Sequence, residues 1–276
     1  MFKRILKKII VTLHMQKIAY FLFNIYASIY RYHTVQRDGI FFALDLIESV
    51  DRGIFLAGWE PLTIKWLKEN LHPGDVVIEV GANVGAHSLI ISQIIGDTGK
   101  LYVFEPTDYA FKKLQFNYDL NKNLAQNTTL NKLFVSNKEN AKKNFKIRSS
   151  WKVNKTKKIA DKMDENFSGE IINIDNFFKG LSRVNLIKID VDGFDFKVLQ
   201  GAEDIIRLHQ PTIFVELGEA DLQKNGDSVE KVINFFSDLN YSGVLENGEI
   251  ITSASKLKGS LKLATHSNGI FTPMID

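Results

Sequence analysis

Residues 76–91 read VVIEVGANVGAHSLII, and this stretch decides the fold. Val76 to Val80 is an apolar run broken once, by Glu79, and its length suits a strand covered on both faces. GANVG then forms a turn, after which Ala86, Leu89, Ile90 and Ile94 recur at the spacing of one helix face. The unit is strand, glycine loop, helix. It repeats downstream: LYVFEP (Leu101 to Pro106) predicts a strand, followed by a helix with Phe111, Leu114 and Tyr118 on one face. LNKLFVS (Leu130 to Ser136) predicts a third strand and NLIKIDV (Asn185 to Val191) a further one. FKVLQGAEDII (Phe196 to Ile206) predicts one helix, and TIFVE (Thr212 to Glu216) the next strand. Upstream, GIFFALDL (Gly39 to Leu46) reads as a short strand, and Pro61 opens the helix PLTIKWLKEN, where its missing N–H costs nothing. Alternating buried strands and helices give an α/β, doubly wound, mostly parallel sheet. Tyr241 to Leu245 and the turn ENGE add an antiparallel edge, expected as a hairpin.

The 276 residues are 45% hydrophobic and 24% charged, without cysteine, so disorder, disulfide scaffolds, thiolate nucleophiles and Cys-based zinc sites are excluded. A formal net charge of +3 conceals a division. Residues 1–37 carry seven Lys or Arg and no acid, and residues 138–158 carry nine against Glu139 alone, leaving a net −12 on the other 218 residues. The organisation expected is a basic apolar helical extension over 1–38, then one α/β domain over 39–276 with a basic insertion at about 137–168.

The N-terminal stretch MFKRILKKIIVTLHMQK runs into IAYFLFNIYASIY (Ile18 to Tyr30). That apolar run reaches only about 20 Å as a helix, short of the ~30 Å hydrocarbon core. Arg31, Tyr32 and His33 follow where a signal peptide would place small residues, so the chain is expected in the cytoplasm. Two readings stand side by side. One is a helical pair packed on the domain behind it. The other is an interfacial anchor at the inner membrane face, with Lys3, Arg4, Lys7 and Lys8 on anionic headgroups.

In a doubly wound sheet the ligand lies beyond the carboxyl ends of the strands. After the first come Glu79, Gly81, Ala82, Asn83 and Gly85, and after the second Glu105 and Pro106. Glu105 stands 24 residues beyond Gly81, the spacing at which a carboxylate meets a ribose diol. A dinucleotide loop wants G-x-G-x-x-G, but Asn83 replaces the middle glycine and Ala86 holds the third position; no P-loop occurs. Glu79 before the loop repels phosphate and suits a ligand with a cationic amino group or sulfonium. S-adenosylmethionine meets these requirements. Glycines also serve tight turns, His87 fits ligand contact or helix capping, and acids at Asp192 and Asp195 also complement a helix dipole. DVDGFD (Asp190 to Asp195) is not an EF-hand, since its glycine is fourth and position twelve is Gly201.

EVGANVGAHS, YVFEP with the following N-x-x-L-N (Asn117 to Asn121), IKIDVDGFDFKVLQGAE and PTIFVE resemble the successive motifs of the FkbM-type methyltransferases, over roughly Gly39 to Glu216. Glu79 stands where that family usually has Asp, and Asp192 and Asp195 where it usually has Glu. The resemblance implies the class I methyltransferase fold, a Rossmann-like sheet of seven strands. It further implies S-adenosylmethionine-dependent O-methylation of a glycan, glycolipid or related metabolite.

Methyl transfer to an alcohol needs a base or a metal near the oxygen. Asp190, at the end of its strand, is the expected base or orienting group; Asp192 is the expected acceptor ligand or, with Asp190, an oxygen donor to a divalent cation. The basic insertion, with Phe145 and Trp151 interleaved, reads as a solvated hairpin or as a collector of anionic substrate. RNA ribose methylation is the alternative, although nucleic acid is the less favoured partner: no N/D-P-P-Y/F loop and no cysteine are present. A non-catalytic, membrane-docked module would show eroded ligand loops, and these are intact.

Overall fold

The structure, a computed structural model, describes residues 15–56, 58–153, 160–253, 257 and 266–274. Lys3, Arg4, Lys7 and Lys8, and Lys155, Lys157 and Lys158 of the insertion, lie outside the described residues. The chain divides into two compact units, residues 1–59 with 150–163 and residues 60–149 with 164–276. The expected boundary after residue 38 falls inside the first unit. Among the described residues no helix is long and apolar enough to cross a membrane.

The first unit holds helix α1 (Met15–Ile29), strands β1 (Tyr32–Arg37) and β2 (Ile40–Asp45), and helix α2 (Ser49–Leu56). β1 and β2 pair antiparallel from Tyr32↔Asp45 to Arg37↔Ile40. Asp38 and Gly39 close them with φ of 50° and 86°, the positive values that a two-residue hairpin turn requires. The strand read at Gly39 to Leu46 is therefore half of a separate two-stranded sheet.

Beyond it the chain forms α3 (Pro61–Asn70), β3 (Val76–Val80), α4 (Ser88–Ile95), β4 (Lys100–Phe104), α5 (Asp108–Leu120), α6 (Lys122–Ala125) and β5 (Thr128–Asn131). There follow β6 (Phe134–Val135), β7 (Asn140–Val153), β8 (Ala160–Ile172), α7 (Ile174–Phe177), β9 (Leu186–Ile189), α8 (Asp195–Gln200) and α9 (Glu203–His209). β10 (Thr212–Leu217), α10 (Glu219–Lys224), α11 (Val229–Asp238), β11 (Tyr241–Leu245) and β12 (Ser267–Pro273) complete it.

Seven strands form one sheet in the order β11-β12-β10-β9-β3-β4-β5. The five from β10 to β5 run parallel, and β12 is antiparallel to both of its neighbours. The central strands are buried on both faces, as their continuous apolar runs required: Val77, Ile78, Leu186, Ile187 and Ile189 are inaccessible or nearly so. Val198, Leu199, Ile205, Ile206, Val232 and Phe236 from the helices join the same core.

Three expectations are corrected. Leu130 to Ser136 is not one strand: β5 ends at Asn131 in the main sheet, and Phe134 and Val135 pair instead with Ile171 and Ile172 of β8. The insertion supplies β7 and β8, which with β6 make a three-stranded sheet. The helix read through Phe196 to Ile206 is two, broken at Gly201, where a side chain would strike the Ser136 carbonyl at 2.3 Å. At the antiparallel edge, ENGE leads among the described residues to one isolated bridge, Val244↔Ile250, and β11 pairs with the much later β12.

Candidate active site

The carboxyl ends of β3, β4, β9 and β10 bring together most of the sequence-predicted residues. Gly81 leaves β3 with φ 89°, and a Cβ there would lie 1.8 Å from the Asp190 carbonyl oxygen. Asp190 N–H in turn donates to Val80 O at 3.0 Å. The glycine thus lets the end of β9 abut the loop and fixes Asp190 beside it. Gly85, φ 87°, makes room for Leu114 of α5, where an added Cβ would meet its Cδ1 at 2.7 Å. Asn83 adopts φ 50°, and Ala82 is buried.

Glu105 is buried at the end of β4, and its carboxylate is fixed from two sides. Oε2 accepts from Asn83 N–H at 2.9 Å; Oε1 accepts from Thr107 N–H at 2.9 Å and from Thr107 Oγ1 at 2.5 Å. Pro106 supplies no donor of its own, and Thr107 follows as the N-cap residue of α5. The glycine loop and the second strand's acid are therefore locked to each other before any ligand arrives.

Glu79 meets a cation from inside the protein. In the parallel pairing of β3 and β9 it stands opposite Lys188; Lys188 Nζ lies 3.9 Å from Glu79 Oε1, and both side chains are 1% exposed. Ser88 Oγ donates to Glu79 Oε2 at 2.5 Å. Burial raises the Glu79 carboxyl above its usual range, while Lys188 and the Ser88 hydroxyl oppose that rise. Lys188 Nζ also reaches Asp190 Oδ2 at 3.2 Å. Burial pulls the Lys188 ammonium down, but Asp190, Glu79 and Glu60 together hold it above its ordinary value. Lys188 lies in the motif IKIDVDGFD, of which the sequence pattern singles out only the acids. The signal was present, since a lysine in a four-residue buried strand demands a buried partner as surely as Glu79 does.

Asp190 itself is half-buried, with 36% of its side chain exposed. Other carboxyls face it. Glu60 precedes Pro61 at the start of α3 with φ 44°; burial first, then Asp190, push its carboxyl up to about 7. Glu216 of β10 is raised well above the usual carboxylate range by burial and then by Asp190, with Asp195, Asp192 and Glu60 adding to it. His266 Nδ1 lies 3.3 Å from Glu216 Oε1. Sequence reading missed Glu60 and His266, which reach the site through tertiary packing alone.

Asp195 has a structural partner set: its oxygens accept from Val191 N–H at 3.2 Å and Gly193 N–H at 2.9 Å, holding the turn in which Asp192 (φ 50°) and Gly193 (φ 96°) sit. Burial and Asp190 raise its carboxyl to about 7. His87 is the N-cap residue of α4 but makes no side-chain cap hydrogen bond, so the capping half of its expected roles is not taken up. Its Nε2 is buried without a hydrogen-bond partner, 3.6 Å from Glu60 Oε2. Burial, then Lys188, hold the imidazole well below its usual value, so it is neutral. Among the described residues no three His, Asp or Glu side chains are grouped to hold a metal ion.

The strand order with its antiparallel edge is that of the class I methyltransferases. Among solved structures, an FkbM methyltransferase from Methylobacillus flagellatus KT is 14% identical, covering 75% of this chain and 50% of that one, TM-score 0.45. This chain thus spans half the length of that relative. An S-adenosylmethionine-dependent O-methyltransferase from Thermotoga maritima is 11% identical over 88% of this chain and 78% of that one, TM-score 0.45. TYW2 of M. jannaschii, in complex with AdoMet, is 12% identical over 88% and 87%, TM-score 0.41. No curated protein matches the chain. Residues 79–242 match the Methyltransferase FkbM domain, from Glu79 through the glycine loop, Glu105, Asp190 and Glu216. Since that match takes in more than half of its length, the chain belongs to the FkbM family of S-adenosylmethionine-dependent methyltransferases.

Proposed function

We propose that this methyltransferase acts on a hydroxyl of a glycan, glycolipid or related metabolite. The observation that carries the reading is the accessible Asp190 carboxylate at the end of β9, with the buried Lys188 ammonium 3.2 Å beneath it. Two features support a fit to S-adenosylmethionine at the neighbouring loop. Glu105 offers an acceptor-only group fixed in place, the chemistry a ribose diol calls for. His87 Nε2 is an orphaned buried atom of the kind a ligand satisfies. Gly81 to Gly85, Glu105 and Pro106 would hold the molecule, which supplies an electrophilic methyl group.

An alcohol hardly ionises at neutral pH, so its proton must pass to a held acceptor as the new bond forms. Asp190 takes that proton. Lys188 orients the carboxylate by a charge-assisted hydrogen bond that no exposed pair could hold so firmly. Glu216, near the carboxyl end of β10, has its carboxyl raised well above the usual carboxylate range by burial and then by the neighbouring Asp190. The test is transfer of a labelled methyl group to sugars and glycolipids in parallel with RNA. An O-methyl sugar is the expected product; labelling of RNA ribose with none on any glycan overturns the assignment.

A further inference from the structure

Helix α1 carries its faces the wrong way round for a helix in water. Ile18, Phe21, Leu22, Ile25 and Ile29 are 53%, 62%, 58%, 44% and 67% exposed. Their spacing of three, one, three and four residues draws a single apolar stripe along the helix. The inward face holds Asn24 and Ala27 instead, 9% and 1% exposed. It is fully engaged within its own unit: Asn24 Oδ1 accepts from Arg52 Nη1 at 2.8 Å, the Arg52 guanidinium lies 4.9 Å from the Phe23 ring centroid, and Phe23 packs on Phe55 at 6.0 Å. The stripe is therefore not surplus core awaiting a better rotation. Turning it inward would expose Phe23 and break the hydrogen bond between the half-buried Arg52 and Asn24. A contiguous exposed stripe of large apolar side chains marks a surface that something covers.

Charge decides what covers it. Residues 1–37 carry seven Lys or Arg and no acid, five of them within residues 3–17, immediately before the stripe. A second copy of the chain would bring the same cations against their like. Anionic lipid satisfies both features at once, apolar chains for the stripe and negative headgroups for the cations. Tyr30 and Tyr32, 58% and 72% exposed at the far end of the helix, suit the headgroup level, where an amphipathic ring has one wet end and one dry end. Fifteen residues extend about 22 Å, too short to span and long enough to lie in the interface plane. We propose that α1, with the basic stretch before it, docks the protein on an anionic bilayer, its Ile18–Ile29 stripe sunk into the acyl boundary.

The test is flotation of the full-length protein with phosphatidylcholine vesicles, with and without phosphatidylglycerol. Wild type is expected to float with the anionic vesicles and to be released as salt shortens the Debye length from ~10 Å at 0.1 M to ~3 Å at 1 M. The triple variant Phe21→Ser, Leu22→Ser, Ile25→Ser should weaken flotation at least ~10-fold, with melting temperature and S-adenosylhomocysteine binding unchanged. A second variant, Lys3→Gln, Arg4→Gln, Lys7→Gln, Lys8→Gln, should lose the preference for anionic vesicles. Wild type that stays with the dense fraction overturns the proposal, as does a triple variant that floats like wild type. A triple variant that turns a dimer into a monomer in sedimentation velocity overturns it too, because a second copy then covers the stripe.

Discussion

Lys188 and Glu79 face each other in register across β9 and β3, Nζ 3.9 Å from Oε1, with almost nothing of either side chain exposed. The same ammonium holds Asp190 at 3.2 Å, so one buried cation joins the acid before the glycine loop to the acid at the end of β9. Two charges in the middle of a sheet cost several kcal/mol of desolvation each unless paired. Their partnership ties the geometry of the loop to that of Asp190.

Lys188→Met should destabilise the protein by about 3–5 kcal/mol, the cost of leaving a buried partner uncompensated. Pairing it with Glu79→Leu should recover most of that loss, because a hydrophobic pair replaces an ionic one. Chemical denaturation of the two variants checks this. A double variant as unstable as the single one would mean that Glu79 is not the partner that matters.

Glu60 gives a pH signature. Its carboxyl is raised in the folded protein from 4.5 to about 7, so the folded chain binds this proton more tightly than the unfolded chain does. The stability so gained is complete below about pH 4.5 and is lost as pH rises through about 7. Glu60→Gln should flatten the decline of unfolding free energy across that window. Asp195, raised to about 7 as well, leaves a residual slope. An unaltered slope in the variant would show that Glu60 does not titrate there.

The glycine loop separates packing from ligand contact. Gly81→Ala places Cβ against the immobile Asp190 carbonyl at 1.8 Å, whereas Gly85→Ala meets only the end of the Leu114 side chain. Each adds backbone strain of about 1–3 kcal/mol from positive φ. Gly81→Ala should therefore melt earlier than Gly85→Ala and lose kcat as well, since it displaces the end of β9. Equal melting temperatures would remove this distinction.

Glu105→Ala should weaken S-adenosylhomocysteine by about 1.5–3 kcal/mol, through the lost charged acceptor and the orphaned Asn83 N–H. Calorimetry measures it directly, and unchanged affinity would move the ribose elsewhere.

The parts of this site that lie at strand ends were legible in the sequence, because topology alone sends them to one crevice: Glu79, Gly81, Glu105 and Asp190 needed only a correct strand assignment. What glycine does at position 81 was legible only in part. The sequence places it in a ligand loop or a tight turn, and in the structure it clears space for the Asp190 carbonyl. Glu60 was hidden behind Pro61, whose helix-opening role accounted for the dipeptide without it. His266 comes from fifty residues beyond its partner Glu216, and no local pattern links such positions. Leu130 to Ser136 misled because apolar periodicity marks a strand without saying which sheet receives it.

Asp190→Asn is the decisive substitution for the chemistry. The amide keeps the size of the carboxylate and a carbonyl oxygen that can still accept from Lys188, so the fold and the loop packed on the Asp190 backbone should persist. What it loses is the ability to take a proton from the acceptor hydroxyl. Removal of a general base costs roughly 10²-fold or more in kcat, and affinity for S-adenosylhomocysteine should stay nearly constant because the side chain is not among the groups assigned to hold it. The two readouts discriminate. Loss of kcat with retained binding supports proton transfer at Asp190; loss of both would give it a part in holding the cofactor. Full kcat in the variant ends the proposal and turns attention to Glu60, whose carboxyl titrates at about 7 beside the same ammonium.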